Sequence, residues 1–206
     1  MPDHHLPDDL LLAYAGGVAS EPHALLCAVH LTLCERCRTE LALLDEIGGV
    51  LLEMKPPVVE DAPPAEPPPA VATDDALPLP EGADTWPRPL QPYVRGLRWR
   101  WHSPGVRVLT TRLVLDDVPV RIYKLAPGQH VPLHTHRGTE LSFVLSGGFV
   151  DLGEHFQRGD IACRDADTVH DLVIDPDGEC VTLSINEHPL VPLTLGGKIF
   201  AALFGA

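Results

Sequence analysis

The stretch His30-Leu31-Thr32-Leu33-Cys34-Glu35-Arg36-Cys37 carries three side chains of the kind that bind transition metals. If the chain is helical up to Cys34, His30 and Cys34 lie four residues apart on one helix face, and Cys37 returns to that side one turn later. Three donors then converge on one point. A cation that prefers four nitrogen or sulfur ligands in a tetrahedron suits this trio, and in a reducing compartment that cation is usually zinc.

The fourth ligand has to come from another part of the chain. Two neighbouring histidines near the amino end, His4 and His5, are the nearest candidates. A pair of cysteines three residues apart also occurs as two small core residues, which is the alternative interpretation. The histidine in phase with the pair and the two histidines upstream favour the metal site.

The residues around this stretch predict three helices between residues 6 and 54. The first ends before Gly16, the second begins after Ser20 as N-cap and covers residues 21–33, and the third covers residues 39–54. The third helix carries more apolar side chains than a unit of this size can bury in its own core. We therefore expect it to contact another protein or the rest of this chain.

A change of composition separates this helical unit from the remainder. Residues 56–92 contain twelve prolines and seven acidic residues. Because proline fixes φ and removes a backbone donor, we expect neither helix nor sheet to persist here. The segment is predicted to be a linker that reaches roughly 100 Å when extended at ~3.1 Å per residue, so the two halves need not be rigidly docked.

Beyond residue 93 the sequence changes to short alternating runs separated by turns that contain Gly and Asp. The predicted strands cover residues 106–109, 113–115, 118–125, 141–145, 149–152, 171–174 and 180–185. Many short strands at this spacing predict a sandwich or barrel. The chain is thus predicted to be an α + β two-domain protein, with a helical zinc-binding domain in residues 1–55, a linker in residues 56–92 and an all-β barrel in residues 93–206. The apolar stretch Ile199–Phe204 is expected to form a closing strand or a dimer contact of the β-domain.

A second group of metal-binding side chains lies in the β-rich half. His134 and His136 are two residues apart and so face the same side of a strand, Glu140 opens the next predicted strand, and His170 comes from a more distant one. Imidazoles with one carboxylate inside a small barrel make a mixed site for Zn, Fe, Mn, Ni or Cu. The alternative, four solvated loop residues, is disfavoured by the grouping of four donors in one barrel.

The charge of the chain excludes some classes of partner. A net charge of -14 and a pI near 5.0 argue against direct binding of nucleic acid or an anionic membrane, and are compatible with a basic protein partner. No stretch approaches the ~20 apolar residues of a membrane span, and the amino end lacks the pattern of a signal peptide. We therefore expect a cytoplasmic protein.

The cysteines do not predict a disulfide framework, since their number is five and they are spread along the chain. Cys163 and Cys180 are candidates for a redox role, with a buried, inert thiol as the alternative for each.

The second group of ligands coincides with a known pattern. Gly128-x5-His134-x-His136-x3-Glu140-x6-Gly147 resembles the first cupin motif, and Gly153-x5-Gly159-Asp160 with His170 resembles a degenerate second motif. The resemblance covers roughly residues 95–190. It implies a jelly-roll-like cupin domain with His134, His136, Glu140 and His170 as metal ligands.

The helical half, with His30-x3-Cys34-x2-Cys37, resembles the zinc-binding anti-sigma factors, in which a small helical domain holds an alternative sigma factor inactive. The order of zinc module, linker and cupin is similar to the ChrR group of that family. The resemblance implies Zn²⁺ bound by His5, His30, Cys34 and Cys37, with His4 as a substitute for His5. It also implies a second divalent metal in the cupin, for which we expect Zn²⁺.

Taken together, the resemblance implies a cytoplasmic anti-sigma factor that inhibits an extracytoplasmic-function type sigma factor in a 1:1 complex. Its cupin domain would sense reactive oxygen species, singlet oxygen or derived oxidants and trigger release. The alternative is an enzyme, a cupin dioxygenase or isomerase that uses the metal of the second group. A DNA-binding zinc finger is a third hypothesis, which three basic against nine acidic residues up to residue 55 argue against.

Overall fold

The computed structural model describes residues 2–55 and 76–194. Three helices form the amino-terminal unit, as predicted: α1 (Asp8–Ala15), α2 (Glu21–Leu31) and α3 (Glu35–Glu53). Gly16 is the C-cap of α1, and the next residue, Gly17, takes a left-handed conformation with φ of 68°, which a glycine adopts without steric cost after a helix end. Pro22 stands in the first turn of α2, where its missing N–H costs no helical hydrogen bond.

One prediction about this unit is wrong, because α2 does not continue to Cys34. The helix ends at Leu31, and Cys34 is the N-cap of α3 in an extended conformation, with φ of -104° and ψ of 108°. The sulfur of Cys34 accepts a hydrogen bond from the backbone N–H of Cys37 over 3.5 Å, which satisfies one of the free amides at the start of α3. His30 and Cys34 therefore do not share a helix face.

The second half of the predicted linker is also more ordered than expected. Two 3₁₀ turns (Ala83–Thr85 and Arg88–Leu90) and a short helix, α4 (Gln91–Val94), follow one another there. Their prolines occupy first-turn positions, where proline is compatible with a helix, so the expectation that no helix persists fails for this part. Leu90 and Val94 are fully buried in the core that the helices share with the β-domain. Residues 56–75 lie outside the described residues.

Eleven strands make up the described part of the β-domain. They are β1 (Arg100–Ser103), β2 (Val106–Leu115), β3 (Val118–Leu125), β4 (His130–Thr135), β5 (Glu140–Ser146), β6 (Gly148–Asp151), β7 (Glu154–Gln157), β8 (Ile161–Arg164), β9 (His170–Ile174), β10 (Cys180–Asn186) and β11 (Val191–Pro192). β7, β8 and β11 were not predicted, and β4 was expected only as a strand of unspecified bounds at His134 and His136. The Ile199–Phe204 stretch lies outside the described residues.

The strands form two antiparallel sheets. The six-stranded sheet has the order β1-β2-β3-β10-β5-β8, and the five-stranded sheet has the order β11-β4-β9-β6-β7. One cluster of buried side chains, including Val144, Phe149 and Ile174, lies between them. The predicted jelly-roll-like, all-β architecture is confirmed, although within residues 93–194 the two sheets do not close into a barrel.

The helices pack on the other face of the six-stranded sheet. Leu26 and Val29 of α2 belong to the same buried cluster as Leu109 of β2 and Phe143 of β5. The two halves are thus in direct contact, in contrast to the loosely connected arrangement that the linker composition predicted. None of the described helices is long and apolar enough to cross a membrane.

Candidate metal centres

Four side chains converge near the amino end of the chain. His5 precedes α1, His30 lies in the last turn of α2, Cys34 caps α3 and Cys37 lies in its first turn. One ligand atom of each lies within 4.8 Å of the others. Nδ1 of His5 is 3.2 Å from Sγ of Cys34, and Nε2 of His30 is 3.3 Å from Sγ of Cys37. Nitrogen and sulfur ligands of one tetrahedral zinc ion lie about 3.5 Å apart, so this spacing fits a shared ion. We call this group the amino-terminal cluster.

The protonation state of His30 is fixed by its surroundings. The side chain is fully buried, and Nδ1 donates a hydrogen bond to the carbonyl oxygen of Gly159 over 2.9 Å. Burial lowers the pKa of His30 to about 4, although the bond to this carbonyl opposes the shift. The ring is therefore neutral near pH 7, and its Nε2 lone pair is directed toward Cys37 as a ligand requires.

The two thiols of the amino-terminal cluster are buried as well. Burial raises the pKa of Cys37 to about 11, and the neighbouring Cys34 adds to the effect. The Cys37 thiol is consequently protonated near neutral pH in the metal-free chain, and a bound cation has to displace that proton. Two thiols with two imidazoles are the donor set that zinc prefers, so these residues fit the ion.

The structure distinguishes between the two upstream histidines. His5 joins the amino-terminal cluster, whereas the ring of His4 stacks on Phe156 of β7 with 4.1 Å between centroids. Nδ1 of His4 lies 3.6 Å from a carboxylate oxygen of Asp160. His4 is thus turned toward the β-domain, and only its neighbour is placed with the thiols.

The second group of donors meets inside the β-domain. His134 lies on β4, His136 directly follows that strand, and Glu140 and His170 open β5 and β9. One ligand atom of each lies within 4.8 Å of the others. Nε2 of His136 is 3.1 Å from Nε2 of His170 and 3.1 Å from a carboxylate oxygen of Glu140. All three imidazoles are buried. The four residues expected from the sequence as metal ligands are therefore close together in the fold. We call this group the cupin cluster.

Hydrogen bonds behind the cupin cluster orient two of its rings. Nδ1 of His134 donates to the carbonyl oxygen of Pro132 over 2.8 Å, and Nδ1 of His170 donates to Asp151 over 3.0 Å. Asp151 is itself buried and accepts a hydrogen bond of 2.8 Å from Nε of Arg164. Because each ring uses Nδ1 as a donor, each presents the lone pair of Nε2 to the cluster, as metal-binding histidines do.

The charges of the cupin cluster also suit a cation. Burial alone would raise the pKa of Glu140, but the hydrogen bond from His136 and the neighbouring histidines lower it overall. Burial lowers the pKa of His134. An ionised carboxylate and neutral imidazoles are the protonation states that bind metal. Nδ1 of His136 is buried and has no hydrogen-bond partner among the described residues. Three nitrogens and one oxygen fit Zn, Fe, Mn, Ni or Cu.

A cavity of about 430 Å³ lies beside the cupin cluster. Its lining is mostly apolar and includes two of the cluster residues, His134 and Glu140. Ser103 and Asn186 also line it, and each has a buried side-chain oxygen that lacks a hydrogen-bond partner within the described part of the chain. A small, largely apolar molecule with one or two donors fits such a space.

The cysteines outside the clusters differ in accessibility. Cys180 on β10 is buried, and burial raises its pKa to about 12. Cys163 on β8 is exposed, although partial burial of its side chain raises its pKa. Cys180 therefore fits the alternative interpretation of a buried, inert thiol, whereas Cys163 does not.

Sequence reasoning missed the residues that support the ligands. Asp151 and Arg164 were not singled out, and Asp160 was noted only as part of a motif, without a role. Asp160 is fully buried and accepts hydrogen bonds from the backbone of Asp3 and His4, which lie 157 and 156 residues earlier in the sequence. No local pattern indicates such distant pairings.

Known proteins resemble this chain over most of its length. Residues 94–190 match the family described as the ChrR cupin-like domain. The chain is 36% identical over 201 residues to the anti-sigma-E factor ChrR of Cereibacter sphaeroides, which covers 91% of each protein. In the crystal structure of Rhodobacter sphaeroides SigE in complex with the anti-sigma ChrR, one chain is 35% identical to this one, with a TM-score of 0.69 over 89% of this chain and 98% of that chain.

Proposed function

This chain belongs to the ChrR family of anti-sigma factors, as its motifs predicted, and on this premise we propose that it binds and inhibits an alternative sigma factor of the extracytoplasmic-function type. The complex has 1:1 stoichiometry and forms in the cytoplasm. Residues 1–55 form the anti-sigma domain, residues 93–206 form the cupin domain, and residues 56–92 connect them. The family is one of regulators, so a dioxygenase or isomerase activity is not part of the proposal.

The observation that carries the proposal is the apolar surface of α3. Six large apolar side chains between the middle of the helix and its C-cap are roughly half to three quarters exposed: Leu43, Ile47, Val50, Leu51, Leu52 and Met54. They are exposed although the helices share a core with the β-domain. At 100° per residue, all of them except Leu52 lie on one side of the helix, and an exposed apolar surface of this kind is typical of a protein-binding site. We infer that it contacts the sigma factor.

The charge of the helical unit supports a partner that binds nucleic acid. Up to residue 55 the chain has nine acidic residues and three basic ones. A sigma factor carries basic surfaces for promoter DNA, and an acidic domain is complementary to them. Complementary charge speeds encounter and fixes the orientation of the complex.

We further propose that Zn²⁺ occupies the amino-terminal cluster as a structural ion and that a second divalent ion, Zn²⁺ by our expectation, occupies the cupin cluster. The helical unit has a small core of its own, and a structural metal adds to the stability that it gains from packing against the β-domain. His5, His30, Cys34 and Cys37 would hold the first ion, and His134, His136, Glu140 and His170 would hold the second.

The cupin domain receives the signal in this proposal. Reactive oxygen species or their organic products reach the cupin cluster through the cavity beside His134 and Glu140 and cause release of the sigma factor. The supporting observation is that this cavity borders the cupin cluster and is large enough to admit a small molecule.

The test is co-expression of the full chain with each alternative sigma factor of the same genome, followed by affinity measurement. Val50→Glu places a charge on the apolar surface of α3, where the wild-type side chain is 58% exposed, and should weaken binding about tenfold or more. Val114→Glu is the matched control, because Val114 is 56% exposed on β2, and it should bind as the wild type does. If no sigma factor binds the wild-type chain, the proposal is wrong.

A further inference from the structure

The two metal clusters are connected by side chains of one region of the β-domain. These side chains come from β6, β7, β8 and the turn between β7 and β8. We call them the interdomain bridge and define it as Asp151, Phe156, Asp160 and Arg164. Each is buried or nearly so. None of the four belongs to either cluster. Asp151 contacts Arg164, Arg164 contacts Phe156, and His4 contacts both Phe156 and Asp160.

The bridge begins at the cupin cluster. Oδ1 of Asp151 accepts the hydrogen bond from His170, and Oδ2 accepts from Nε of Arg164 over 2.8 Å. Asp151 is 1% exposed, so its charge depends on these two partners. The position of Arg164 is therefore tied to the position of the His170 ring.

The middle of the bridge is a stack of three groups. The guanidinium carbon of Arg164 lies 5.3 Å from the centroid of the Phe156 ring. The same ring stacks with His4 at 4.1 Å. A cation and an imidazole that contact one aromatic ring cannot shift independently of it in a close-packed interior. His4 is adjacent to His5, which belongs to the amino-terminal cluster.

The bridge ends in the turn that touches the helical unit. One carboxylate oxygen of Asp160 accepts from the backbone N–H groups of Asp3 and His4, at 2.7 and 3.1 Å. The preceding residue, Gly159, supplies the carbonyl that accepts from His30. The turn thus holds the segment that leads into His5 and also orients a second member of the amino-terminal cluster.

These contacts depend on one another. Asp160 is fully buried, and among the described residues two of the three backbone N–H groups that donate to it come from the amino-terminal segment. If that segment moves away, a buried carboxylate loses donors, which is unfavourable. Conversely, a shift of the turn removes the acceptor that fixes the His30 ring. The closed bridge and an ordered amino-terminal cluster therefore favour each other.

We propose that the interdomain bridge couples the two clusters, so that a metal ion in the cupin cluster raises the metal affinity of the amino-terminal cluster. A cupin-bound ion fixes the His170 ring, which fixes Asp151 and Arg164, and through them the stack and the turn. Since binding free energies are linked, the amino-terminal ion raises the affinity of the cupin cluster by the same factor. The inference rests on the proposal that both clusters bind metal, and it goes beyond sigma-factor binding by giving a route from one domain to the other.

The experiment uses the full-length, zinc-loaded chain without a sigma factor, in a Cys163→Ser background that removes the exposed thiol. The rate at which 5,5′-dithiobis(2-nitrobenzoate) reacts with Cys34 and Cys37 reports how firmly the amino-terminal ion is held. Emptying the cupin cluster with His134→Ala and His136→Ala should raise that rate about fivefold or more, the lower range of allosteric coupling. A rate unchanged within about twofold would overturn the proposal.

A second variant tests the coupling in a chain that keeps both metal clusters and is expected to fold. Asp151→Asn keeps the shape of the side chain and should keep two zinc ions per chain while raising the thiol rate. In the variant with an empty cupin cluster, Asp151→Asn should add nothing further, because the coupling is already lost. Arg107→Gln is the control. Arg107 pairs with Glu179 at the surface and is not part of the interdomain bridge, so this substitution should leave the thiol rate unchanged.

The outcomes separate this inference from the proposed function. Two zinc ions per chain with an Asp151→Asn thiol rate equal to that of the wild type would contradict the coupling and leave sigma-factor binding intact. Fewer than two zinc ions in the wild-type chain would instead contradict the proposed metal sites, on which the coupling rests.

Discussion

Nδ1 of His30 donates a hydrogen bond of 2.9 Å to the carbonyl oxygen of Gly159, across 129 residues of sequence. One end of this bond is a member of the amino-terminal cluster, and the other is a turn of the β-domain. A ligand of the helical unit is therefore oriented by the other half of the chain. This arrangement makes the metal chemistry of the helices dependent on the β-domain.

Gly159→Ala should destabilise the chain more than Gly153→Ala. Both glycines have a left-handed φ, 99° and 80°, so each substitution should cost about 1–2 kcal/mol of unfolding free energy. A Cβ at Gly159 would also lie 2.9 Å from Cγ of Pro2, whereas nothing lies within 4 Å of one at Gly153. Denaturant unfolding gives the free energies, and hydrogen exchange of α2 amides should be faster only in Gly159→Ala. Equal losses of unfolding free energy in the two variants would show that the contact with Pro2 has no role.

Cys34→Ala should remove one zinc ion per chain and unfold the helical unit. Structural zinc contributes about 10–16 kcal/mol of apparent binding free energy in small zinc-dependent domains, which is as large as the stability of a whole domain. Metal analysis and circular dichroism measure the two effects, and sigma-factor activity in cells should rise. Cys163→Ser, which removes an exposed thiol, should change none of these.

Zinc binding at the amino-terminal cluster should release at least one proton near pH 7. The pKa of Cys37 is raised to about 11, so the free thiol is protonated and must lose its proton to bind the ion. Lower pH therefore weakens binding there. The cupin cluster should release fewer protons, because the pKa of Glu140 and that of His134 are both lowered.

The measurement is a zinc titration in weak buffer with a pH indicator. Cys37→Ser should abolish the release from the amino-terminal cluster, and His134→Ala should leave it. On gradual acidification the amino-terminal ion should be lost first. Loss of the cupin ion first would contradict the assignment of protonation states.

The metal-loaded chain should show one rapidly reacting thiol at pH 8. Cys163 is exposed, whereas burial raises the pKa of Cys27 and Cys180 to about 12, so their thiolate fraction is on the order of 10⁻⁴ at that pH. Absorbance after addition of a disulfide reagent counts the reacting groups. Cys163→Ser should abolish the fast phase, and denaturant should make all thiols react. A fast phase that survives Cys163→Ser would mean that another thiol is accessible.

The spacing of His30, Cys34 and Cys37 was enough to predict that they converge, but it did not predict how. The interval between the first two fits one helical turn, and it also fits a helix end followed by an N-cap. The structure has the second arrangement, in which the Cys37 amide donates a hydrogen bond to the Cys34 sulfur. The spacing alone therefore does not distinguish a continuous helix from a helix end followed by an N-cap.

Other features were hidden for identifiable reasons. A strand at His134 was assumed, but the bounds of β4 were not predicted, because Pro132 and its polar neighbours obscure the alternation and the pairing with β9 is irregular there. The support of the clusters by Asp151 and Asp160 depends on bonds that span 19 and 157 residues. Local periodicity carries no information about contacts at such separations.

The uncovered side chains of α3 have a consequence for the lifetime of the protein. A solvent-facing row of leucine, isoleucine and valine is a recognition signal for chaperones and quality-control proteases. We therefore expect a molecule without its partner to be degraded sooner than one in the complex. The abundance of the regulator in the cell would then follow that of its target.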